Sequence, residues 1–81
     1  MEQNPRPIRR ARIATELRAE LAKQQKTRAS MSLATDIKPP VLRSRLAGVR
    51  PFFIEELDSC CAFLGLTISE LLARADSAEV K

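Results

Sequence analysis

The stretch Thr27–Gly48 reads TRASMSLATDIKPPVLRSRLAG, and its punctuation decides the fold. Thr27 stands where its hydroxyl can cap a short helix over residues 28–34. The apolar residues of that helix are Ala29, Met31, Leu33 and Ala34. Residues 35–38 read as a turn. Pro39 and Pro40 then open a second helix over residues 39–47, because the first turn of a helix has N–H groups without internal partners and tolerates proline. Leu42 and Leu46 give this helix an inward stripe, and Gly48 stops it as a C′ residue. Two short helices thus meet at a turn of three or four residues, the second carrying Arg43 and Arg45. That is the helix-turn-helix plan.

Working outward, Ile13, Leu17 and Leu21, with Ala14 beside them, recur at helical spacing, predicting a helix from Ile8 to about Gln25. Residues 1–7 are polar and contain two prolines, so a flexible arm is expected there. On the other side, Pro51 precedes a fourth helix over about 54–64, with Glu55 and Glu56 favourable in its first turn. Leu57, Cys61 and Leu64 form its apolar face, with Phe63 alongside, and Gly65 ends it. Thr67-Ile68-Ser69-Glu70 is a capping box that opens a fifth helix through Leu71 and Leu72 to about Ala75. Residues 76–81 read as a flexible tail. No strand pattern or internal repeat competes. The expectation is an all-α, five-helix domain over residues 8–75.

The chain has 81 residues, 44% of them hydrophobic and 30% charged, which suits one small folded domain rather than a disordered segment. There is no histidine, so the commonest general base and the commonest metal ligand are missing. Two glycines cannot build a phosphate-cradling loop, and neither glycine-rich motif occurs. Glu55 and Glu56 are adjacent on a helix and diverge, so they do not pair for acid–base work. The expectation is no enzyme, no cofactor and no metal. Cys60 and Cys61 are adjacent, and in a reducing compartment they read as small apolar residues of the core or its boundary. The longest uncharged run, residues 59–69, is far short of the roughly 20 apolar residues that span a bilayer. The N-terminal arginines are not followed by the apolar segment of a secretory signal. A soluble cytoplasmic protein is therefore expected.

Net charge is a modest +4, but it is unevenly placed. Residues 1–50 hold twelve Lys+Arg and four Asp+Glu, a net of +8; residues 51–81 hold two and six, a net of −4. Such asymmetry suggests one half facing a polyanion and another that packs or solvates. The bland alternative is a solvated basic face without a partner. A recognition helix of this length fits the DNA major groove, where arginine can bind guanine bidentately and small residues allow close approach to phosphate.

Taken together, residues 27–38 and 41–48, then Arg50-Pro51-Phe52, Glu55-Glu56-Leu57, Leu64-Gly65-Leu66-Thr67 and Glu70-Leu71-Leu72, resemble the lambda-repressor-like (XRE/Cro-type) helix-turn-helix family. The resemblance spans roughly residues 10–75 and keeps the order of five helices. It departs at Ser32, where the family usually has Ala, and at Asp36, where it usually has Gly. Lys38 replaces the capping Ser or Thr before the recognition helix, and Phe53 the polar cap of the fourth helix.

What the resemblance implies is a Cro-like transcriptional repressor, of phage type, that inserts the helix at about 39–47 into the major groove of a double-stranded DNA operator. Arg28 matches a position that touches the phosphate backbone. Lys38, Pro39, Pro40, Arg43 and Ser44 match groove-facing positions, with base readout leaning on Lys38, Arg43 and Ser44. Arg45 and Arg50 are candidates for phosphate. Arg9 and Arg10, clustered with Arg6 and Arg12, either follow the backbone or a minor groove or add only non-specific attraction. Leu17, Met31, Ile37, Leu42, Leu46, Leu57 and Leu64 are expected in the core, and the three phenylalanines are expected to pack. A chain beginning with Met and stopping soon after a fifth helix is expected to lack the separate C-terminal domain of longer repressors. A homodimer, at least on DNA, is compatible with the resemblance. An antitoxin or accessory protein of the same fold, with a protein as its main partner, is the alternative.

Overall fold

Five helices and no strand make up residues 9–77, the part of the chain that the computed structural model describes. They are α1 (Arg9–Lys23), α2 (Arg28–Thr35), α3 (Pro39–Leu46), α4 (Ile54–Leu64) and α5 (Ile68–Ser77). The arm expected over residues 1–7, with its Arg6, and residues 78–81 of the expected tail lie outside the described residues.

Local chemistry sets each boundary. Thr27 Oγ1 accepts from the Ser30 N–H at 3.0 Å, and the Thr27 N–H donates back to Ser30 Oγ at 3.3 Å, a reciprocal cap that starts α2. Thr67 and Glu70 form the expected box at the start of α5, with bonds of 3.0 and 2.8 Å. At α4 only half of a box exists: the Phe53 N–H donates to Glu56 Oε1 at 2.9 Å, and phenylalanine returns nothing. Lys38 gives α3 no side-chain cap, as its sequence implied, and Pro39 and Pro40 occupy the first two helical positions.

Helices α1 to α4 end by one solution, a left-handed residue that lets nearby N–H groups turn back onto the last carbonyls. Gly48 (φ 80) and Gly65 (φ 75) do this after α3 and α4. Asp36 (φ 63) does it after α2, where its N–H donates to the Ser32 carbonyl at 2.9 Å. Gln25 (φ 57) does it after α1, with Lys26 N–H donating to Leu21 O and Gln25 N–H to Ala22 O. Helix α1 therefore ends at Lys23, two residues short of the expected Gln25, because Gln25 itself is the left-handed residue that reverses the chain. Helix α3 stops at Leu46 with Ala47 as its cap, and α2 extends through Thr35. Helix α5 runs two residues past Ala75: that alanine is buried and Asp76 meets Arg9 at 3.0 Å, so Asp76 and Ser77 belong to the helix.

The core joins Leu17 and Leu21 of α1, Met31 of α2, Ile37 of the turn, Leu42 and Leu46 of α3, Leu57, Cys60, Cys61 and Leu64 of α4, and Leu71 of α5. Every residue expected in the core is there. Helix α1 packs along α5 and α3, while α2 packs on α4 and α3, so α1 and α4 back the helix pair directly and α5 packs on those two. Both cysteines are free and buried, and burial pushes the Cys60 thiol up to about 12, which leaves it a packing residue. Phe52 and Phe63 pack against the core; Phe53 does not and is 65% exposed. Leu33 points outward at 86% exposure, whereas Ser32 beside it is buried. A buried polar seam closes α1 onto α4 and α5. Glu20 accepts from Gln24 at 2.6 Å and from Arg74 at 2.8 Å, and Gln24 also donates to the Leu64 carbonyl at 2.8 Å. Among the described residues, no helix is long and apolar enough to cross a membrane.

Candidate nucleic-acid interface

The turn between α2 and α3 is three residues long, Asp36-Ile37-Lys38, and side chains hold it from inside. Ile37 is buried as its anchor. Ser32 Oγ donates to the Ile37 carbonyl, and Thr35 Oγ1 donates to the Met31 carbonyl at 2.7 Å. Serine at position 32 is thus more than small: it satisfies a carbonyl that would otherwise be buried without a partner. Asp36 takes the left-handed conformation that Asp adopts more readily than most residues.

Helix α3 turns Leu42 and Leu46 inward, and its 3.6-residue period then assigns every other position. Pro40 and Ser44 lie opposite the core, with Ala47 next to them. Arg43 falls on one flank and Arg45 on the other. The two flanks differ in charge. On one side a concavity of about 340 Å³ is lined by Arg18, Arg28, Arg43, Leu46 and Ala47, with no acidic residue. On the other, a concavity of about 370 Å³ is lined by Thr35, Asp36, Ile37, Lys38, Val41, Glu55, Glu56 and Ser59. A polyanion lying along α3 is drawn to the first flank and repelled by the carboxylates of the second.

The candidate residues separate accordingly. Arg28, Lys38, Pro39, Pro40 and Arg43 are exposed and Ser44 is half-buried; Arg28, Pro39 and Arg43 share one flank, whereas Lys38 borders the concavity that also holds Asp36, Glu55 and Glu56. Pro39 and Arg43 also line a groove of about 550 Å³ with Arg28 and Leu33. Arg45 does not join them. Its Nε and Nη2 donate to Glu56 Oε1 and Oε2 at 2.8 and 3.3 Å, and the two side chains are only 14% and 19% exposed. Its guanidinium also sits 5.1 Å from the Phe53 ring centroid. Arg45, a candidate for phosphate by sequence, is thus engaged within the protein as a strut between α3 and α4. The helical period already held that signal: two residues on from Arg43 is the opposite flank. Burial pushes the Glu56 carboxyl up, but the hydrogen bonds from Arg45 and from the Phe53 N–H outweigh it and hold the pKa below its ordinary value.

Of the remaining arginines, Arg50 is exposed on the α3–α4 connection, and Arg10 reaches that connection by donating to the Gly48 carbonyl at 3.3 Å. Gly48 is close to α1, where a side chain's Cβ would lie 3.4 Å from Ala11 Cα. Arg9 is turned the other way, toward Asp76 of α5, with which it pairs at 3.0 Å. Sequence reasoning missed Arg18. Its Nη1 donates to the Leu46 carbonyl at the C-terminus of α3, and its Nη2 to Thr15 Oγ1 at 3.3 Å. Only the long-range packing of α1 on α3 reveals this placement.

No protein-family model matches the chain, and no curated protein matches it. Among solved structures, the clp gene regulator ClgR from Corynebacterium glutamicum is similar, with a TM-score of 0.85 and 26% sequence identity over 91% of this chain and 79% of that one. The fold is a helix-turn-helix fold, shared with a gene regulator. In helix-turn-helix terms α2 is the positioning helix, residues 36–38 are the turn and α3 is the exposed second helix.

Proposed function

We propose that the chain is a sequence-specific, double-stranded DNA-binding transcriptional regulator that lays α3 in the major groove of an operator. The observation that carries this is the setting of α3: Pro40 and Ser44 lie on its side opposite the core, and Arg43, with Arg18 of α1 and Arg28 of α2, lines a concavity along one flank. Similarity to a clp gene regulator supports the same reading. Arg28, Arg50 and Arg10 supply backbone attraction, while Lys38, Pro39 and Pro40 at the start of α3, and Ser44 farther along it, meet base edges. Within this reading the chain acts as a Cro-like repressor in the bacterial or phage-infected cytoplasm, occupying its operator to exclude polymerase or a competing regulator.

Fluorescence anisotropy with duplex DNA at increasing salt tests the proposal. If about four to six phosphates are neutralised, log Kd rises with log salt at a slope of roughly 4 to 5. Binding that ignores salt contradicts it.

A second reading, an accessory protein or antitoxin whose main partner is a protein, draws on Val49, Phe53 and Ile54, each 65% exposed around the α3–α4 connection. It predicts tight capture of that protein by a chain with no preference among duplex sequences.

A further inference from the structure

Arg18, Arg28 and Arg43 come from three helices, yet they line one concavity of about 340 Å³ whose other walls are Leu46 and Ala47. From this convergence we infer that the three guanidiniums form a single oxyanion site that receives one phosphodiester group of the DNA backbone, and that Arg43 serves there rather than at a guanine. The inference rests on the DNA-binding reading and deepens it.

Three features carry it. Like charges are costly to gather, and no carboxylate lines this concavity to compensate them, so an anion is the group that relieves the repulsion. The apolar walls from Leu46 and Ala47 reduce water's screening on one side and strengthen attraction to a bound oxyanion. The donors are also available. The Arg28 and Arg43 side chains make no hydrogen bond or ion pair among the described residues. Arg18 spends two of its N–H groups on Leu46 O and Thr15 Oγ1, which fix its fork at the mouth of the site and leave others to donate.

The placement has a consequence for readout. Arg43 lies on the flank of α3 beside α2, and it borders the neighbouring groove along with Arg28. A guanidinium held there anchors the helix to the strand that passes the N-terminus of α2, and it sets the register in which Pro40 and Ser44 meet base edges.

The test is a scan in which each phosphodiester of a bound duplex is replaced, one at a time, by an uncharged methylphosphonate. Kd is measured for the wild type and for R18Q, R28Q, R43Q and K26Q, the last removing a charge outside the concavity, on the α1–α2 connection, where it donates to the Phe63 carbonyl. Circular dichroism checks that each variant is folded; Arg28 and Arg43 hold nothing in place, so R28Q and R43Q keep the test valid if R18Q unfolds. One linkage is expected to cost the wild type about tenfold. At that same linkage the cost should shrink below about threefold in R28Q, R43Q and R18Q, and should persist in K26Q. If the arginines couple to different linkages, or to none, the single site is overturned while DNA binding stands. If no duplex binds at any salt, the DNA reading fails and takes the proposal with it. In that case the Arg Nε–Hε signals of the wild type, followed by NMR during titration with inorganic phosphate, show whether the site serves a free anion instead.

Discussion

Two residues adopt left-handed backbone that glycine takes at no steric cost: Gln25 and Asp36. Asp36 also places a negative charge at the C-terminus of α2, the wrong end for the helix dipole. We predict that Asp36→Gly raises stability by about 0.5–1 kcal/mol and that Asp36→Val lowers it by more, read from urea denaturation midpoints. Glu20 poses a different question. Hydrogen bonds from Gln24 and then Arg74 hold its carboxyl below the ordinary value of 4.5 despite burial. A depressed folded-state pKa gives stability that is complete above the ordinary value and lost as pH falls through the lowered one. Wild-type stability should therefore decline below about pH 4.5. In Glu20→Gln that decline should be shallower. Parallel acid limbs for the two proteins would contradict this account of the seam.

At the scale of the helix, capping separates α2 and α5 from α3. Thr27→Ala and Thr67→Ala should each cost about 1 kcal/mol in thermal or urea unfolding. Lys38→Ser, which supplies the cap α3 lacks, should instead stabilise by a few tenths to about 1 kcal/mol. Arg45 and Arg43 offer a paired comparison across one helix. Arg45→Ala breaks the ion pair with Glu56 and should cost about 1–2 kcal/mol of stability while leaving the salt dependence of duplex binding unchanged. Arg43→Ala should do the reverse, keeping stability and lowering the slope by about 1. These elements were legible in the sequence because their signals are local: Thr27, Pro39, Gly48, Pro51, Gly65 and Thr67 each mark a boundary through their own backbone or hydroxyl. Gln25 carries no such mark, and its left-handed turn went unread.

Across the whole molecule the charge split takes on a spatial meaning. The basic half folds into α1, α2 and α3 and supplies both the arginine-lined flank and the outward face of α3, while the acidic half packs behind as α4 and α5 and places Glu55 and Glu56 on the opposite flank. What the sequence could not reveal are partnerships between residues far apart in the chain: Arg18 with Leu46, Glu20 with Arg74, and Arg45 with Glu56. Each depends on how helices pack, and no local propensity encodes it. The core was readable because burial follows the helical period, whereas the division of labour among arginines depends on which neighbour each flank meets. The central claim is that this surface reads a DNA sequence. Repeated selection of bound molecules from a pool of random duplex DNA tests it most directly. One enriched motif is predicted, a single half-site for a monomer or a palindrome for a dimer, lost when Pro40 and Ser44 are both replaced by Glu; a pool that remains random after selection would contradict it.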